Sequence, residues 1–179
     1  MLNKKGFSLI EILVSISVAL VIMTGIFNFI QQNIILKRNI QNDYVLNEFA
    51  KEGIEVLSFM RDKNYQDGRS YSYNIDSATP RKVILIFNRT TNTWSISDVS
   101  SSETIDNCSV NNTCSIFNNN SLFIQDTSGV GLIRTNFSRL ITITRNDANH
   151  FTVASESSYK ENNIVKKKMK LVKELWDIQ

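Results

Sequence analysis

From Phe7 to Ile30 the chain reads FSLIEILVSISVALVIMTGIFNFI, 24 residues in which Glu11 is the only charged side chain. As a helix this run measures about 36 Å, enough to cross the roughly 30 Å hydrocarbon core of a bilayer. The apolar stretch exceeds the roughly 7–15 residues of a secretory h-region, and no small-x-small cleavage site closes it. Lys4 and Lys5 precede it. By the positive-inside tendency they place the N-terminus in the cytoplasm and the remainder outside, with Lys37 and Arg38 opposing that bias. No second run of comparable length follows in the 179 residues. The expectation is a single-pass protein with one external domain.

Past Lys37 the sequence turns polar and rich in Asn, Ser and Thr, with one proline, Pro80. Net charge is +3, of which Lys4 and Lys5 supply two, so the rest is near neutral. That balance does not make the basic face that nucleic-acid binding needs. The lysines of VKKKMKLVKEL instead read as guards on an edge strand, a common defence against unwanted strand pairing. DNA is the lesser reading of that segment.

Cys108 and Cys114, the only cysteines, are expected to form a local disulfide outside the cytoplasm. The ring is small, and closing it constrains the unfolded chain by roughly 2 kcal/mol. Two thiols and the single histidine, His150, are too few for a metal centre. His150 falls at an expected strand turn, and no glycine-rich phosphate loop is present. The sequence therefore gives no reason to expect an enzyme, a metal or another cofactor.

Helical periodicity continues beyond the apolar run. Leu46, Phe49, Ala50, Gly53, Leu57 and Met60 recur at three- and four-residue steps, with Lys51, Glu52, Glu55 and Arg61 on the other faces. Ile35, Leu36, Ile40 and Tyr44 roughly extend the stripe upstream. One helix from about Phe7 to about Lys63 is expected, on the order of 85 Å long if unbroken. Gly25 and Gly53 weaken it by roughly 1 kcal/mol each relative to alanine, and NYQDGRS ends it. RKVILIFN and TNTWSISDV then form a hairpin through Arg89–Thr91, placing Val83, Leu85 and Phe87 opposite Trp94 and Ile96. Residues 100–121 read as an Asn/Ser-rich loop holding the disulfide, and SLFIQ as a short strand. FSRLITITR puts Phe137, Arg139, Ile141 and Ile143 on one face, and HFTVASESSYK with IVKKKMKLVKELW completes a three-stranded meander. The fold class is α+β: a long N-terminal helix, transmembrane then amphipathic, packed on an antiparallel sheet.

KKGFSLIEILVSISVAL resembles the class III signal of type IV pilins and type II secretion pseudopilins. That pattern is a basic leader, glycine, an aromatic residue, apolar residues and glutamate, here Lys4, Lys5, Gly6, Phe7 and Glu11. The segments EGIEVLSFMRDKNY and TNFSRLITIT more loosely resemble the minor, tip-associated members. The resemblance implies cleavage between Gly6 and Phe7 by a prepilin peptidase, which then methylates the new N-terminus at Phe7. It implies segments 1–6 as leader, 7–30 as transmembrane helix, 31–64 as amphipathic continuation and 65–179 as an extracytoplasmic β-rich head. The implied partners are other pilin or pseudopilin subunits, an assembly platform protein and the membrane. The subunit would await assembly in the cytoplasmic membrane and later stand in a surface or periplasmic filament. Some pseudopilins bind Ca²⁺ in acidic loops, and Asp98, Glu103 and Asp106 flank the cysteine loop here, without the dense alternation of a calcium loop.

Glu11 is the position where physics and resemblance meet. A carboxylate in hydrocarbon costs a few kcal/mol and is normally matched to a partner. Cleavage would create one, the α-amino group of Phe7, with a reference pKa near 8. In the family this glutamate pairs with the amine of a neighbouring subunit. Such a buried pair adds little net stability but penalises registers that leave it unmatched. Its retention argues against the topmost pseudopilin position, where the family tends to drop it. The alternative is a signal-anchored external binding protein that never polymerises.

Overall fold

The computed structural model describes residues 8–75, 80–88, 91–119, 122–125, 132–147 and 150–176. Lys4, Lys5, Gly6 and Phe7 lie outside these, as do Arg89 and Thr90 of the expected hairpin connection. The elements run α1 (Leu9–Gln66), β1 (Arg81–Asn88), β2 (Thr93–Asp98), α2 (Ile105–Asn111), β3 (Ser115–Asn119), β4 (Leu122–Gln125), β5 (Ile133–Asp147), β6 (His150–Glu161) and β7 (Ile164–Trp176). The architecture is α+β, and the chain divides into two units at Gln41/Asn42.

In the first unit α1 is exposed at every described position. In the second, α1 buries Leu46, Phe49, Ala50, Gly53, Ile54, Val56 and Leu57. Met60 packs partly buried against the same core. The helix ends where NYQDGRS predicts. Gly68 takes the left-handed conformation at φ 69°, its N–H donates to Tyr65 O (2.9 Å), and Arg69 N–H donates to Asn64 O (2.8 Å). This pair of bonds is the Schellman closure that glycine favours.

The seven strands form one sheet in the order β2-β1-β4-β3-β5-β6-β7. The expected β1–β2 hairpin register is present, with Leu85 opposite Ile96 and Phe87 opposite Trp94. β5, β6 and β7 make the expected meander. One correction concerns the sheet itself, which is mixed rather than wholly antiparallel. β1 pairs with β5 only from Arg81 to Val83; the strands then part and the β3–β4 hairpin fills the gap. There β1 meets β4 through a single parallel bridge, Ile86 with Gln125.

The side chain of Gln125 completes that fork. Its amide donates to Cys114 O (2.9 Å) and Arg139 O (2.6 Å) and accepts from Leu85 N–H (3.3 Å). It thus ties together backbone groups at the fork, sharing Cys114 O with the Arg139 N–H, which donates to the same carbonyl at 3.0 Å. Arg139, 2% exposed, donates from Nε to Gln125 Oε1 (3.2 Å) and from Nη1 to Phe49 O (3.3 Å) and Glu52 Oε2 (2.8 Å). Burial pushes the Arg139 pKa down, and Glu52 opposes that shift. The guanidinium ties α1 to the fork.

A second correction lies in residues 100–121, expected to be a loop. They contain α2, seven residues capped by Thr104 Oγ1 accepting from Asn107 N–H (3.2 Å) and ended by left-handed Asn112. Two turns are too short to be stable alone. Burial of Ile105 and Cys108 against Ile84, Cys114 and Leu140 supplies what propensity does not. Lys160 of β6 adds a cation at the helix C-terminus, donating to Ser109 O (2.6 Å) and to Asn112 Oδ1. Burial, and secondarily Arg134, pushes the Lys160 pKa down.

At Gly53, α1 lies close against the sheet. A Cβ there would lie 2.5 Å from Ser155 Oγ, 3.1 Å from Ile141 Cδ1 and 3.2 Å from Arg139 Cδ. Alanine is favoured over glycine in helices by about 1 kcal/mol, but rotating Ser155 relieves only the first contact. Gly53→Ala should therefore destabilise the protein by about 1–2 kcal/mol in urea unfolding, and a gain in stability would contradict this packing. The Arg139–Glu52 pair is asymmetric, with side-chain exposures of 2% and 37%. Glu52→Ala strands a desolvated guanidinium and should cost about 2–4 kcal/mol, whereas Arg139→Met leaves a carboxylate that water reaches and should cost less. The reverse order would show that the pair does not anchor the helix.

Candidate functional site

The sequence-predicted cleavage residues Gly6 and Phe7 lie outside the described residues, so the visible part of that site begins at Ser8. Ser8 stands at the N-cap of α1: its carbonyl accepts from Glu11 N–H (3.0 Å) and Ile12 N–H (3.3 Å). Glu11 Oε2 in turn accepts from Ser8 N–H at 3.0 Å. This is the glutamate half of a capping box, Ser8-Leu9-Ile10-Glu11, and it places a carboxylate where the helix dipole favours one. The S-x-x-E spacing was readable in the sequence.

Further along the apolar segment, each described hydroxyl or amide donor with a recorded bond turns back on its own helix. Ser15 Oγ donates to Glu11 O (2.7 Å), Ser17 Oγ to Leu13 O (2.8 Å), Thr24 Oγ1 to Leu20 O, and Asn33 Nδ2 to Phe29 O (2.8 Å). These bonds satisfy groups that hydrocarbon could not. Leu13, Ile16, Leu20, Phe27 and Ile34 are exposed. The helix is long and apolar enough to cross a membrane.

Cys108 and Cys114 are joined in a disulfide with Cα atoms 5.4 Å apart. It links the middle of α2 to the residue before β3, and both cysteines are fully buried. Two of the three flanking acids are engaged separately. Arg81 donates bidentately to Asp98, which holds that carboxyl below the usual range despite the opposing cost of burial. Asp106 pairs with Lys168 at 2.7 Å. Among the described residues no group of three or more His, Cys, Asp or Glu could hold a metal ion. His150 opens β6, with its ring stacked on Trp176 at 3.8 Å.

The lysines of β7 occupy an edge strand. Lys167 meets Asp43 of α1 (2.7 Å) and Lys170 meets Glu156 (2.9 Å). Acids from α1, α2 and β6 thus hold three of these lysines, counting the Lys168–Asp106 pair.

A cleft of about 380 Å³, not anticipated in the sequence, lies between the C-terminal turns of α1, the turn at Tyr71–Ile75 and the start of β2. Phe59, Tyr73 and Trp94 line it, among amide and charged side chains. The turn is tethered at several points. Ile75 is fully buried; Asn64 Nδ2 donates to Tyr71 O (3.2 Å) and Tyr73 O (2.8 Å); Arg81 Nη1 donates to Asn74 O (2.8 Å). Arg69 lies over the Tyr73 ring at 5.0 Å, and Phe87 backs Trp94 at 5.0 Å. No periodic pattern announces such a site, because its walls come from three separate segments.

Residues 1–27 match the family described as the prokaryotic N-terminal methylation motif. The match supports a type IV pilin-like class III signal at this end of the chain. No curated protein and no solved structure matches the chain.

Proposed function

We propose that the protein is a minor pilin or pseudopilin, cut after Gly6, methylated on Phe7 and assembled through α1 into a filament. The carrying observation is that the methylation motif at residues 1–27 runs into an apolar helix segment exposed along its described length and bearing one carboxylate, Glu11. In this reading residues 1–6 are a leader whose Lys4 and Lys5 hold the scissile bond at the cytoplasmic face. Glycine at position 6 lets the backbone lie close to the peptidase without a side chain in the way. Residues 7–30 are the membrane anchor, 31–64 the amphipathic continuation, and 65–179 the extracytoplasmic head. Prepilin peptidase, sister subunits and an assembly platform are the partners. The subunit works by assembly rather than catalysis.

Glu11 serves two states in this proposal. In a lone subunit its carboxylate rests on Ser8 N–H, so the charge is already compensated in part. In a filament it pairs with the amine of a neighbour's Phe7 and fixes the axial register. The same capping bond favours the second reading, a signal-anchored binding protein, because it gives Glu11 a use without polymerisation.

Intact mass and N-terminal sequencing of membrane-expressed protein, with and without a prepilin peptidase, separate the two. The expected product begins at methylated Phe7 only when the peptidase is present, and Gly6→Val abolishes it. An uncut chain in both cases would favour the anchored binding protein. The two uses of Glu11 separate in substitution. Glu11→Gln keeps an acceptor for Ser8 N–H and removes the charge, whereas Glu11→Ala removes both. Both variants should be processed, and both should fall by about tenfold or more in filament incorporation if the charge is what docks. Normal incorporation of Glu11→Gln would reduce Glu11 to a cap.

A further inference from the structure

We propose that the aromatic cleft beside the end of α1 is a saccharide-binding site. Phe59 and Tyr73 are 58% and 47% exposed although both are large and carry apolar ring faces. Trp94 adds a third ring to the same cleft. Rings scattered singly over a surface need no explanation, but three lining one concavity do. The volume, about 380 Å³, falls within the roughly 300–1,000 Å³ of small-molecule sites.

The chemistry of the walls selects the ligand. Asn92 and Thr93 bring neutral donors and acceptors to the rim, and Asp67 adds an acceptor beside Arg69 and Lys63. A pyranose presents C–H groups on its faces and hydroxyls at its edge, which matches ring faces bordered by amides, a hydroxyl and a carboxylate. An apolar helix would find too much charge at this rim. A nucleotide could use the cations, but the Asp67 carboxylate opposes its phosphate.

The site is also held in place before any ligand arrives. Buried Ile75, the Asn64 amide and the Arg81 guanidinium fix the turn that carries Tyr73. Phe87, its cross-strand neighbour, packs against Trp94. Such preorganisation lowers the ordering cost of binding. The proposal does not depend on processing or assembly.

The test is a fluorescence titration of the full, uncleaved chain in lipid nanodiscs. A Trp176→Phe background makes Trp94 the reporter. The probes are chitotetraose, cellotetraose and mannotetraose, with oligothymidylate as the nucleic-acid comparison. We expect a saturable change in Trp94 emission with at least one saccharide. Phe59→Ala or Tyr73→Ala should weaken its binding about fivefold or more, while Tyr44→Ala, an exposed ring outside the cleft, should not. Unchanged unfolding midpoints will certify that both cleft variants fold, and saturation-transfer NMR on the sugar gives an independent readout of which C–H protons face the protein. Three results would each overturn the proposal: no saccharide binds, a saccharide binds equally to the cleft variants, or only oligothymidylate binds in a cleft-dependent way.

Discussion

The second unit is organised around a charge taken out of water. A guanidinium as deeply buried as that of Arg139 is tolerated only when its donors are matched, because an unmatched one costs several kcal/mol. Its three partners come from two elements: a carboxylate and a carbonyl from α1, and an amide from β4. The helix must therefore lie at one height and one rotation over β5. Gly53 permits that height, since any larger residue would meet Ile141, Ser155 and Arg139 itself. The aliphatic core around them, from Ile54 and Leu57 to Val83, Ile141 and Val153, supplies the driving force but little direction. The polar contacts select one arrangement from the many that would bury the same surface.

This division of labour explains what was legible in the sequence. The apolar span, the α1 stripe, the β1–β2 hairpin and the β5–β7 meander all announce themselves by period, so local pattern was enough. Arg139 was even placed on the correct face of its strand, beside Phe137, Ile141 and Ile143. That it is buried, and what it holds, was not readable, because Glu52 and Gln125 lie 87 and 14 residues away in sequence. The fork between β1 and β5 was invisible for the same reason. Helix α2 escaped notice because its cap at one end is a lysine from β6, and its residues are indifferent helix formers. At the candidate processing site, the glycine-aromatic-glutamate pattern was plain. The Ser8–Glu11 capping bond is equally legible in the S-x-x-E spacing.

The two faces of the sheet are covered in different ways. α1 covers one with a continuous helix stripe. The other is covered by α2, whose two turns depend on a disulfide, a side-chain cap and a buried lysine. A long amphipathic helix brings its own cooperativity, whereas a short one must borrow stability from its surroundings.

That dependence bears on how the disulfide forms. Having only Cys108 and Cys114, it admits one intramolecular pairing and no scrambled isomers. The partners are six positions apart, so encounter between them is fast and needs no long-range structure. An oxidant is then required, but a disulfide isomerase has nothing to correct. Any error in cross-linking must occur between chains, before α2 has buried its thiols.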